Sequence, residues 1–326
     1  MKKWNVFSGG KSKDHQCNPG VTLDYSRGLL PMFSQNFLEI YDRARLLAIE
    51  RHCAENRTIY EAFRHVYDDD LWNVLLLKEY SNFPHIRRLL PDWPPTQLQI
   101  NWVGNFGFGL GIQTVSFYKK VKDFYKIFRG REIKEARLLD FGCGWGRIIR
   151  YFAKDIPEES IFGCDPNQEI LKTCLDLRVP GTFRKSDFRP HQLPFSENFD
   201  LVYSFSVFTH LSEQTHMECL EAIHHSMAKD GILIVTFRPR EFIHTLEEER
   251  VDMTQDDLEH LYHSYDTGGY AFLPHYLEPI DGDITYGDAI ISLEYIHKKW
   301  TKLFSIIGPG FNQEDFHQVP LVMKKR

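Results

Sequence analysis

Apolar residues change their spacing twice along this chain. Phe37, Ile40, Tyr41, Ala44, Leu47 and Ala48 recur at helical spacing behind Ser34, which fits a helix N-cap. Thr58-x-x-Glu61 has the capping-box pattern that opens a second helix, and residues 71–80 read as a third. The run Leu90-Pro91-Asp92-Trp93-Pro94-Pro95 ends this texture, because proline lacks the amide donor and restricts the residue before it. Ahead of the helices, residues 7–31 are rich in Gly, Ser, Asp and Pro and carry no apolar period. The pattern therefore predicts an irregular arm over 1–33 and a helical region over 34–95.

Gly104, Gly107, Gly109 and Gly111, with Phe106 and Phe108, read as a glycine and aromatic joint before an apolar helix over 114–128. Beyond it, short apolar runs alternate with longer helical ones. Strands are expected over 137–141, 160–164, 182–185, 199–204 and 232–237, and helices over 147–154, 167–177 and 211–228. This alternation implies an α/β fold, a doubly wound parallel sheet with a helical N-terminal extension. In such sheets ligands sit beyond the carboxyl ends of the strands.

Composition narrows the class. With 326 residues, 42% hydrophobic and 26% charged, the chain reads as an ordinary folded protein, and collagenous, disordered and coiled-coil classes fit poorly. Lys and Arg number 39 against 45 Asp and Glu, a net charge of −6 that disfavours a large nucleic-acid surface. Cys17, Cys53, Cys143, Cys164, Cys174 and Cys219 are scattered without a C-x-x-C pair, which suits reduced thiols in a cytoplasmic protein. The basic start, Met1 to Phe7, runs into polar residues 8–14, so no export signal is expected, and no apolar stretch approaches the roughly 20 residues of a membrane span. His224 with His225 and His260 with His263 lack metal-ligand partners, and no metal site is expected.

The strongest chemical signal is Leu138-Leu139-Asp140-Phe141-Gly142-Cys143-Gly144-Trp145-Gly146-Arg147, a buried strand running into alternate glycines ahead of a helical pattern. Glycines there allow a tight turn and let a ligand approach the main chain. In the dinucleotide fingerprint G-x-G-x-x-G/A the third small residue packs helix on strand, but that position is Arg147, so an NAD(P)-dependent oxidoreductase loses ground. The segment instead resembles motif I of the class I S-adenosylmethionine (SAM) dependent methyltransferases, in which an acidic residue at the strand end precedes G-x-G-x-G.

Four further pieces follow in that family's order. Gly163-Cys164-Asp165-Pro166-Asn167 ends the second strand, Ser186-Asp187-Phe188 follows the third, Phe199 to Leu211 matches the fourth strand and its loop, and Lys229 to Val235 turns into the fifth. The resemblance implies a Rossmann-like, seven-stranded, mostly parallel sheet with the last strand antiparallel, residues 304–307 forming the sixth strand and 319–323 the last, after a helix over 288–302. It implies SAM as cofactor, bound by Asp140, Gly142, Cys143, Gly144, Gly146, Asp165, Pro166, Asp187, Phe188, Ser204 and Ser206. Asp165 would take the ribose hydroxyls and Asp187 the adenine amino group. Each of these two aspartates also suits a helix cap or Asx turn. Arg147 is open between cofactor and surface, and Arg150 is expected at the surface.

The methyltransferase domain is expected over 96–326, with residues 239–287 inserted between the fifth strand and its helix at the ligand edge. Glu247-Glu248-Glu249 reads as a solvated helical face. Tyr265 to Tyr276 reads as an acceptor lid, with Tyr265, Tyr270, His275 and Tyr276 as substrate-binding candidates, or equally as an aromatic turn packed on the core. Ser206 to Glu213, the arginine-flanked motif I and the Gly-Gly-Tyr insertion resemble bacterial methyltransferases linked to surface-saccharide or secondary-metabolite pathways. That implies a small-molecule or saccharide acceptor methylated at a hydroxyl, and His210, beside the expected methyl position, is the candidate base. Its alternative is a cap or packing residue of the next helix. A non-catalytic SAM-binding regulator or partner subunit is the other functional class; a homodimer stays open.

Overall fold

The computed structural model describes residues 36–78, 80–250, 252–275, 278–312 and 315–326. The expected arm, Ser34, Cys17 and Tyr276 lie outside them. The chain divides into two compact units, one ending at Val115 and one spanning Ser116–Arg326.

The first unit is helical: α1 (Asn36–Glu55), α2 (Ile59–Phe63), α3 (Asp69–Leu77), α4 (Pro84–Leu89) and α5 (Thr96–Val103), followed by the start of α6 (Gly107–Arg129). The Thr58/Glu61 capping box closes in both directions. Glu50 on α1 accepts the His85 and Ile86 amides at 2.9 Å each, supplying the side-chain acceptor that the Phe83 cap of α4 lacks. The expected glycine joint is largely helix. Gly104 ends α5 in the left-handed region, but Gly109 and Gly111 lie within α6. A Cβ on Gly111 would stand 2.5 Å from Leu77 Cδ1, so glycine here serves close packing of α6 on α3.

The second unit holds a seven-stranded sheet. Its strands are β1 (Leu138–Phe141), β2 (Ile161–Asp165), β3 (Thr182–Lys185), β4 (Phe199–Ser204) and β5 (Met227–Phe237), then β8 (Phe304–Pro309) and β9 (Val319–Lys325). The order is β3-β2-β1-β4-β5-β9-β8, with β9 antiparallel to both neighbours and every other pairing parallel. This is the sheet implied by the resemblance. α7 (Gln168–Asp176), α8 (Glu213–Ser226) and α11 (Leu293–Lys299) fall between strands. Alternation along β4 feeds both faces: Val202 joins Leu220 and Ile223 of α8 and Ile296 of α11 in one core, while Tyr203 meets Phe117 of α6 and Phe152 on the other.

Three elements depart from expectation. Residues 147–154 are turns and a 3-10 helix (Ile149–Lys154), because positive-φ glycines interrupt the helical path and Arg150 Nε binds the Gly146 carbonyl at 2.8 Å. Arg150 is not at the surface but fully buried, its guanidinium over the Trp145 ring. The helix expected over 288–302 begins only at Leu293, since Gly287–Ile291 is strand β7. The insertion has its own architecture: α9 (Phe242–Glu249), α10 (Gln255–Gly268) and an antiparallel pair, β6 (Tyr270–Pro274) with β7. A small core of Phe242, Ile243, Leu246, Leu261, Ala271, Leu273 and Ile290 holds it together, and Glu247, Glu248 and Glu249 are exposed as expected.

Candidate active site

The sheet order reverses at β1 and β4, so the crevice beyond their carboxyl ends is the topological switch point. Gly142, Gly144 and Gly146 turn the chain there with φ of 78°, 52° and 76°, values that disfavour any side chain. A Cβ on Gly142 would lie 2.3 Å from Val207 Cγ2, and one on Gly146 2.9 Å from Val179 Cγ1. At Gly144 a Cβ would meet nothing within 4 Å. Two glycines are thus required by packing, whereas the third bares main chain to open space, the form of a ligand cradle. The amides of Gly142 and Cys143 both donate to the Cys164 carbonyl, at 2.8 and 3.0 Å, tying the turn to β2.

Asp165 ends β2 and accepts the Gly144 amide at 3.0 Å and the Asn167 amide at 2.9 Å. One bond is the Asx turn that leads through Pro166 to α7, which Asn167 caps; the other braces the glycine turn. Each oxygen keeps acceptor capacity. Burial pushes Asp165 up to about 6 against those two bonds. Asp140 is buried at the end of β1, where the Tyr203 hydroxyl donates to it at 2.7 Å. Burial, helped by the Asp165 charge, pushes it up to about 7, with Tyr203 and Arg147 opposing. Asp187 and Phe188 are exposed just past β3.

The two serines are structurally engaged. Buried Ser204 donates to the Phe141 carbonyl at 2.9 Å, bridging β4 to β1. Ser206, at φ 60°, receives Gln318 Nε2 at 2.9 Å, and its amide donates to Thr236 Oγ1 at 2.8 Å. Thr236 in turn donates to Gln318 at 2.6 Å. Cys143 packs in the turn with Cys174, both as free thiols. Arg147 is buried with its guanidinium 4.9 Å over the Phe205 ring.

On the other side of the crevice, β7 and the residues just before it lie along the loop after β4. The Ser212 amide donates to Thr285, Gly287 to His210, and Ala289 to Thr209, at 3.1, 2.8 and 2.9 Å. His210 Nδ1–H donates to the Gly287 carbonyl at 2.8 Å, which leaves Nε2 as the acceptor facing Arg238 Nη2 at 3.3 Å. Burial and the Arg238 charge push His210 down to about 3. Asp288 organises the rest: Arg238 donates to it at 2.6 Å, His275 at 3.0 Å and Arg250 at 3.1 Å. Burial alone would raise this carboxyl, but the His275 bond and the Arg238 charge beside it outweigh it and hold it below the usual range.

The segment expected as a lid loop is the end of α10, the Gly269 cap and β6. Tyr270 is buried, and its hydroxyl donates to the Leu211 carbonyl. Half-buried Tyr265 lies on α10 against the insertion's small core. His275 does reach the cluster around His210. Arg238, Tyr286 and Asp288 were not singled out by sequence reasoning. Among the described residues no group of His, Cys, Asp and Glu is arranged to hold a metal ion.

Residues 138–231 match a family described as a methyltransferase domain. The chain is 38% identical over 90 residues to an uncharacterized methyltransferase of Schizosaccharomyces pombe, covering 24% of this chain and 32% of that one. It is 25% identical over 124 residues to the cyclopropane-fatty-acyl-phospholipid synthase of Escherichia coli K12, covering 37% and 28%. The chain thus spans about a third of the length of these two curated relatives. Among solved structures, magnesium protoporphyrin IX methyltransferase from Synechocystis, with bound S-adenosylhomocysteine (SAH), is 14% identical; 71% of this chain and 93% of that one are covered, with a TM-score of 0.45.

Proposed function

We propose that this chain, whose residues 138–231 match a methyltransferase-domain family, is a class I SAM-dependent methyltransferase that transfers a methyl group from SAM to a hydroxyl of a small-molecule or saccharide acceptor. The observation that carries the reading is the Gly142–Gly146 turn. It bares the main chain at Gly144 beside two buried carboxylates, at the switch point of a seven-stranded, mostly parallel sheet whose last strand is antiparallel. Asp165, Pro166 and the Gly144 backbone would hold the ribose side, Asp140 would face the cationic end, and exposed Asp187 and Phe188 would flank the adenine. When bound, SAM supplies an activated methyl on a sulfonium. The protein's part is alignment of the nucleophile with the leaving sulfur, together with exclusion of water.

His210 fits positioning better than proton abstraction, since both ring nitrogens are engaged and its basicity is depressed. In this reading the domain spans 96–326, residues 239–287 shape the acceptor side, and the N-terminal helices are an extension. Calorimetry tests it: SAM and SAH should bind and NAD should not. Asp165→Ala should weaken SAH binding by about 1.5–3 kcal/mol, the range of a charged hydrogen bond. Heat from NAD alone would overturn the assignment. SAH binding without methyl release to any acceptor would favour the regulator.

A further inference from the structure

Tyr286 is a polar residue of this crevice whose hydroxyl the described residues leave unused. Its ring stacks on His210 at 5.0 Å and 10° and meets the His275 ring edge-on at 5.3 Å. Two clamped rings and the flanking hydrogen bonds at Thr285 and Gly287 fix its direction. Its hydroxyl has no hydrogen-bond partner among the described residues. We infer that the Tyr286 hydroxyl is an acceptor-binding group, and that its subsite takes a neutral hydroxyl-bearing portion of the acceptor, such as a polyol or an uncharged sugar ring, not a phosphate or carboxylate. The inference rests on the methyltransferase reading and specifies the acceptor of that same site.

Charge balance argues for neutrality. The cations nearest the ring are already matched: Arg238 donates to Asp288, and Arg250 divides its donors between Asp288 and Asp252, at 2.8 and 2.9 Å for the latter. His210 stands neutral between Gly287 and Arg238. Among the described residues no cation is left over for an anion here, while a neutral hydroxyl would satisfy the phenol at no electrostatic cost. Burial, with the Asp288 charge, pushes Tyr286 up to about 12, so it stays protonated and offers both a donor and an acceptor. The Asp165 charge also reaches it, which puts the phenol within electrostatic range of the cofactor-side carboxylate.

The test uses the full chain loaded with SAH and saturation-transfer NMR with methyl glycosides, inositol, hexose phosphates and hexuronates as probes. Neutral probes should receive saturation in the wild type, and Tyr286→Phe should weaken the strongest of them by about tenfold, the loss of one well-made hydrogen bond. SAH affinity by calorimetry should stay within about twofold in the variant. Preference for phosphates or uronates, absence of any neutral binding, or equal binding by Tyr286→Phe would overturn the inference. So would a variant that loses SAH, because Tyr286 would then belong to the cofactor. If the wild type itself fails to bind SAH, the methyltransferase reading falls instead.

Discussion

Arg238 Nη2 stands 3.3 Å from Nε2 of His210, whose opposite nitrogen is bound 2.8 Å from the Gly287 carbonyl. A base in this position would have to abandon a guanidinium to take a proton. Glutamine can reproduce both bonds, its amide donating to Gly287 and its oxygen accepting from Arg238. His210→Gln should therefore keep methyl release from labelled SAM within about tenfold, whereas loss of a general base costs about a hundredfold or more. A larger fall in a variant of unchanged melting temperature would return the histidine to the chemistry.

Asp140 leads to a proton-linkage prediction. Burial pushes it up to about 7, so near neutral pH a substantial fraction carries a proton. A cation bound beside it favours the carboxylate, which lowers its pKa and releases that proton. SAM binding at pH 7 should then show a calorimetric heat that varies with the ionisation enthalpy of the buffer, corresponding to release of a fraction of a proton. Asp140→Asn should abolish the buffer dependence. A heat independent of buffer in the wild type would place the cofactor's ammonium elsewhere.

The sheet was legible because its signals are local. β1, β2, β4 and β5 are apolar runs ending at turn residues, and Gly142-x-Gly144-x-Gly146 advertises positive φ directly. Asp165 read two ways in the sequence, as ligand and as Asx turn, and its geometry accommodates both, since each backbone bond leaves a lone pair free. The acceptor side was less legible because it is assembled across long sequence separations. His210 meets Gly287 across 77 positions and Arg238 meets Asp288 across 50, and no periodicity encodes such pairs. Residues 288–291 read as part of the following helix because Ala289-Ile290-Ile291, a short apolar run, is ambiguous between the two states. The sequence points Arg150 to the surface because arginine is rarely fully buried; here Gly146 and Trp145 receive it in the core.

The glycine turn separates folding from binding. Alanine at either Gly142 or Gly144 pays a left-handed backbone penalty of about 1–2 kcal/mol. At Gly142 the new methyl must also displace Val207, 2.3 Å away, adding roughly the 1–3 kcal/mol typical of overpacking. At Gly144 the methyl enters open space. Urea unfolding should therefore rank Gly142→Ala below Gly144→Ala in stability, and calorimetry should find Gly144→Ala the variant that stays folded while losing most SAH affinity. Equal SAH affinity for Gly144→Ala and wild type would mean that no ligand occupies that space.

His216 predicts how the protein responds to acid. It is fully buried on α8, with Trp300, Phe208 and Tyr270 at ring separations of 4.9, 5.3 and 5.5 Å, and neither ring nitrogen has a hydrogen-bond partner among the described residues. Burial pushes it down to about 3 from an ordinary 6.5. Between those values the unfolded chain holds a proton that the folded chain refuses, so the contribution is fully present above about pH 6.5 and is lost as pH falls toward 3. Asp140 and Asp165, both raised, act oppositely: the folded state takes up their protons first, which favours folding as pH drops through 7 and 6. The wild-type acid slope is therefore a difference of terms, and a variant is needed to isolate His216. His216→Leu keeps an apolar side chain of similar volume in the aromatic cluster and removes the titration. At pH 7.5 its urea-derived stability should lie within about 1.5 kcal/mol of wild type, as for a volume-conserving core change. At pH 4.5 the balance should shift in the variant's favour by about 2.7 kcal/mol, the linkage contribution of a group that titrates near 6.5 only when unfolded. A stability gap that is the same at both pH values would mean that the folded protein accepts a proton on His216 as readily as the unfolded chain does.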